Sequence, residues 1–130
     1  MTDLVLERMP TAALPGWARI CAVDDLESCW GEAALVNGTQ VALFRLPGGR
    51  IHAVDNRDPR TSASVMARGL IGSRGGTTTL ASPLHKEVYS LATGECLTGG
   101  QPNLPVYETR VVDGCIEVAA LAPMEPAMLQ

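Results

Sequence analysis

The chain of 130 residues has the length of one domain, and 46% hydrophobic with 18% charged residues excludes a disordered polymer. A net charge of −4 and only five aromatic residues argue against nucleic acid or an anionic membrane surface as the main partner. No apolar run approaches the roughly 18 residues of a membrane span, and Asp3, Glu7, Pro10 and Pro15 spoil a secretory leader, so a soluble cytoplasmic domain is expected.

An extension of residues 1–16 precedes the first β-type alternation, at 17–22, after which Asp24 and Asp25 suit the cap of a short turn. Asn37-Gly38 then separates two apolar runs, 33–36 and 39–46, and Pro47-Gly48-Gly49 separates the second from 50–54; both are hairpin signals. From 55 to 76 the periodicity lapses into polar, Gly- and Arg-containing sequence with a slight helical signal at 64–67, and a segment of that length without structure is expected to be a functional loop. Strands follow at 77–81, 87–91 and 106–112, and Asp113-Gly114 turns the last of these into 115–118. Residues 119–130, with Pro123 and Pro126, read as a tail. The elements predict an all-β domain over 17–118, an antiparallel sandwich or small barrel built from hairpins with little helix.

No catalytic constellation is visible. The cysteines (Cys21, Cys29, Cys96, Cys115) lack Cys-x-x-Cys spacing and are expected to be free and largely buried. His52 lies in a strand-like alternation and His85 has no supporting motif, while nucleophile-elbow, phosphate-loop and zinc-protease patterns are absent. Charge is polarised instead: Arg57, Arg60, Arg68, Arg74 and Lys86 stand against Asp58 alone, giving residues 56–86 a local charge of +4 and the rest of the chain −8. Such a region suits docking on an acidic partner, because arginine pairs well with carboxylates.

The stretch Ser82-Pro83-Leu84-His85-Lys86, followed by Tyr89 and by Thr93-Gly94-Glu95, resembles the second cluster-binding loop of Rieske iron–sulfur domains, Cys-Pro-Leu-His-Gly. Ser82 stands at the cysteine place and His85 at the histidine place. The first loop of that family is Cys-x-His, and Asn56-Arg57-Asp58-Pro59 is similar to it, with Asn56 and Asp58 at the ligand places. A Rieske centre takes two thiolates and two imidazoles, and asparagine, aspartate and serine replace soft ligands poorly, so no [2Fe–2S] cluster is expected. Three segments in order (54–59, 65–72 and 81–84) resemble the small subunit of the cytoplasmic NADH-dependent nitrite reductase, over roughly residues 17–118.

That resemblance implies an accessory chain without cofactor or metal of its own. Its partner is a large subunit carrying flavin (FAD), a [4Fe–4S] cluster and sirohaem, where nitrite is reduced to ammonium; Arg57, Arg60, Arg68, Arg74 and Lys86 are the expected docking residues. Asn56, Asp58 and Ser82 are expected to have become loop-packing groups. Three alternatives stay open: a Rieske-type ferredoxin with a true cluster, a stand-alone β-domain interaction module, and a free-standing enzyme using His85, Asp58 and His52 around a single metal ion, with Asn56 nearby.

Overall fold

In the computed structural model the described residues are 16–84, 86–100 and 102–119. Three two-residue turns organise them. Asn37 and Gly38 (φ 49° and 83°), Gly75 and Gly76 (58° and 86°), and Asp113 and Gly114 (53° and 76°) all adopt left-handed backbone. Turns with two positive φ angles match the right-handed twist of paired strands, and Asn, Asp and Gly tolerate them best. They join β2 (Glu32–Val36) to β3 (Thr39–Arg45), β5 (Leu70–Arg74) to β6 (Thr77–Ala81), and β9 (Thr109–Val112) to β10 (Cys115–Ala119), each in antiparallel register.

With β1 (Trp17–Ala22), β4 (Ile51–Asp55), β7 (Val88–Ser90) and β8 (Val106–Tyr107), the strands form three sheets. Their orders are β1-β10-β9, β2-β3-β4-β8 and β5-β6-β7. Helix is confined to single 3-10 turns at Val23–Asp25 and Met66–Arg68 among the described residues.

The four-stranded sheet is covered on both faces, which explains the continuous apolar run of β3. Val41 and Leu43 enter one core with Ile20, Ile116 and Val118 of the β1-β10-β9 sheet. Ala42 and Phe44, on the opposite face, enter a second core with Leu80, Tyr89 and Met66. Alternate side chains of a strand point to opposite faces, so Ala53 and Val54 of β4 and Tyr107 and Val106 of β8 divide between the cores in the same way. The outer β1-β10-β9 sheet carries a charged row in register, Arg19, Glu117 and Arg110. Arg110 Nε donates to Glu117 Oε1 at 2.7 Å and stacks 4.1 Å over the Trp17 ring, and these arginines hold the Glu117 carboxyl below its usual range.

Two expectations are corrected. The segment 55–76 is not a continuous loop, since its last third is β5, whose residues are mostly exposed and include Gly72 and Ser73. The run 106–112 is broken at Glu108: Val106 and Tyr107 pair with β4, whereas Thr109 onward pairs with β10. Residues 1–15 and 120–130, with most of the expected extension and tail, lie outside the described residues.

Candidate functional site

Two loops meet at one end of the sheets, 56–69 leading from β4 to β5 and 82–87 leading from β6 to β7. Asn56, Asp58 and Ser82 are 3%, 0% and 1% exposed, so each polar group there needs a partner inside the protein. Asn56 Nδ2 donates to Gln40 Oε1 at 3.0 Å and its Oδ1 accepts from the Ala67 amide at 2.7 Å. Asp58 Oδ1 accepts from the Arg60 amide at 2.8 Å, and Oδ2 accepts from the Ser82 hydroxyl at 2.6 Å. Ser82 Oγ in turn accepts from the Leu84 amide at 3.3 Å. The Ser82–Asp58 bond thus joins the two loops, while Asp58 Oδ1 and Ser82 Oγ each also turn back on the amide two residues ahead.

A second link lies nearer the surface, where the Arg60 guanidinium meets Glu87 Oε2 at 2.6 Å. Tyr89 sits fully buried at the base of the second loop. Its hydroxyl is pushed up to about 12 by burial, reinforced by the charge of Asp58. Neither Tyr89 Oη nor Glu87 Oε1 has a hydrogen-bond partner among the described residues.

Asp58 and Ser82 pair across the two loops, whereas Asn56 pairs with Gln40 and the Ala67 amide instead; His85 lies outside the described residues. Of the five cationic residues, Arg60 is held by Glu87, while Arg57, Arg68, Arg74 and Lys86 are exposed and form no ion pair among the described residues. His52 is half-buried on β4 opposite Phe44 of β3, and burial, then Arg50, lowers its pKa. No group of three or more His, Cys, Asp or Glu side chains among the described residues is placed to hold a metal. The cysteines correct an expectation: all four are free, but Cys29 is exposed and the others are half-buried. Cys21 lies beside the chain's other sheet cysteine, Cys115, and burial pushes its thiol up to about 11.

Sequence reasoning missed Gln40 and Glu87. Glu87 is the residue immediately after the basic stretch, and an acid so placed was the available signal for an internal ion pair. It also missed a cleft of about 810 Å³ beside the first loop, lined by residues 29–33 and 67–71. Among the described residues no helix is long and apolar enough to cross a membrane.

Three facing sheets with two loops closed at one end define the class. The description of Rieske-like [2Fe-2S] domains matches residues 16–119. The nitrite reductase (NADH) small subunit of Salmonella typhimurium is 39% identical over 103 residues, which cover 78% of this chain and 95% of that one. A solved Mycobacterium tuberculosis structure, described as an NADH-dependent nitrite reductase small subunit, superposes with a TM-score of 0.78 at 44% identity, covering 82% of this chain and 96% of that one. The chain belongs to the Rieske-like domains, and within them to the family of nitrite reductase small subunits. The nitrite reductase [NAD(P)H] large subunit of Klebsiella oxytoca is 35% identical over 108 residues, 82% of this chain but 11% of that protein.

Proposed function

We propose that this chain is the accessory small subunit of a cytoplasmic NAD(P)H-dependent nitrite reductase, that it supports a large catalytic subunit, and that it carries no iron–sulfur cluster. The large subunit, with flavin, a [4Fe–4S] cluster and sirohaem, reduces nitrite to ammonium. The similarity to nitrite reductase small subunits supports the accessory role, and the observation that carries the cluster-free reading is the buried 2.6 Å bond between Asp58 and Ser82, which occupies the junction of the two loops. Neither described loop contains a cysteine. The side chains present there are hard donors already engaged, the Asp58 carboxylate with the Ser82 hydroxyl and the Asn56 amide with Gln40 and the Ala67 backbone, and they do not fit an iron–sulfide cluster that selects thiolates and imidazoles. The large-subunit partner is supported by the Klebsiella protein, where a stretch similar to this domain is part of the large chain itself.

The test is NADH-dependent nitrite reduction by the large subunit with and without this chain, with co-elution measured on the same samples. Stimulation with co-elution is expected; absence of both would sink the reading. Iron and acid-labile sulfide in protein purified without oxygen decide the cluster separately, and stoichiometric amounts of both would overturn that part. Among the basic residues, Arg57→Glu and Arg68→Glu are expected to slow association and weaken the complex more strongly at low salt. Binding by both variants that matched the unaltered chain at every salt concentration would remove the basic face from the interface.

A further inference from the structure

The cleft beside the first loop is built by two glycines. A Cβ on Gly31 would meet the Ala67 carbonyl oxygen and, at 2.8 Å, the Phe44 ring; one on Gly69 would meet the Ala81 carbonyl oxygen at 2.5 Å. Only bare backbone lets these segments seat so closely, and the seating leaves larger side chains standing at the rim. Trp30 is 63% exposed and Leu70 73% exposed, although both are bulky and apolar. Both line the cleft, together with Ala33 and Ile71 and with polar Glu32 and Arg68.

The two strands that enter this lining, β2 and β5, are the outermost strands of their sheets. Each therefore offers unpaired backbone groups, the feature by which an extended segment adds to a sheet. Arg68 is exposed and without an ion pair among the described residues, whereas Arg19, Arg45, Arg60 and Arg110 all face carboxylates. A cleft that combines apolar Trp30, Leu70 and Ile71 with one cation, Arg68, and one carboxylate, Glu32, both unpaired among the described residues, calls for an apolar anchor flanked by a carboxylate on the Arg68 side, and exposed Trp with Arg is a composition common at the energetic centre of interfaces.

The geometry points to this cleft as the seat of the large reductase subunit, occupied by an extended segment that places an apolar side chain between Trp30 and Leu70 and a carboxylate on Arg68. This inference rests on the accessory-subunit reading, and it moves the centre of the contact from the basic loop to the apolar cleft. The Arg57, Arg74 and Lys86 side chains are outside the lining.

The test titrates the purified large subunit with the unaltered chain and with Trp30→Glu, Leu70→Glu and Trp30→Phe, using Val111→Glu as an exposed apolar control on β9. Thermal melting of each variant alone confirms that these surface changes leave the fold intact. Trp30→Glu and Leu70→Glu are expected to weaken binding by about tenfold or more, with Trp30→Phe and Val111→Glu staying within about threefold. If the unaltered chain binds and both glutamate variants bind equally well, the cleft is not the seat and the accessory role stands. A chain that self-associates through Trp30 and Leu70 in light scattering, with large-subunit binding unaffected, overturns the inference in favour of a second copy. Failure of the unaltered chain itself to bind overturns the accessory role, and the inference with it.

Discussion

Ser82 shows how much one hydroxyl can carry. Replacing it by alanine leaves Asp58 Oδ2 buried without its donor, and loss of a hydrogen bond to a buried carboxylate destabilises by about 2 kcal/mol. Urea denaturation of Ser82→Ala reads this directly; a midpoint equal to that of the unaltered protein would mean the pair contributes nothing. His52 makes a prediction of the opposite chemical kind. Its folded pKa lies below the unfolded value of 6.5, so the unfolded chain binds the extra proton first. Its contribution is therefore complete above pH 6.5 and declines as pH falls through the folded pKa. On acidification over that window the melting temperature of the unaltered chain should fall relative to that of His52→Gln, and parallel curves would show His52 to be neutral in the balance. Both positions could be named from sequence. The partners were less visible, because Ser82 meets Asp58 across 24 residues and Asn56 meets Gln40 across 16.

At the scale of elements, the hairpins were legible because their turns need particular residues. Asn37-Gly38 and Asp113-Gly114 announce a left-handed pair of φ angles that few other dipeptides accept. Strand β5 was not legible, since an edge strand with Leu70 exposed and Gly72 and Ser73 within it shows neither alternation nor a continuous apolar run. The break at Glu108 escaped for a related reason: β8 and β9 are both β-type sequence, and only the pairing partner changes. Gly31 was silent in the sequence yet has a strict role. Gly31→Ala drives a methyl group into the Ala67 carbonyl and the Phe44 ring, and overpacking against backbone should destabilise by about 2–3 kcal/mol. Chemical denaturation checks it, with Gly72→Ala, which also lacks left-handed backbone and whose Cβ would meet only the Thr79 hydroxyl at 3.4 Å, as the uncrowded control.

For the whole molecule, the shared central sheet is expected to make the two cores one cooperative unit. Leu43 faces one core and Phe44 the other, and both are fully buried on the same strand. Leu43→Ala and Phe44→Ala should each destabilise by about 3–4 kcal/mol and each leave a single unfolding transition by fluorescence and circular dichroism; two separated transitions in either variant would show that the cores unfold independently. The all-β class was legible at this scale from strand count and turn spacing, whereas the division into three sheets depends on pairings between distant strands such as β1 with β10. The link between Ser82 and Asp58 has a consequence for how the molecule is made. Both groups are encoded in the polypeptide, so this junction closes as soon as the sheets that carry it form, and on the proposed cluster-free reading assembly of this end of the molecule would not depend on iron or sulfide. Oxidants and chelators in the cell therefore find nothing in that bond to attack.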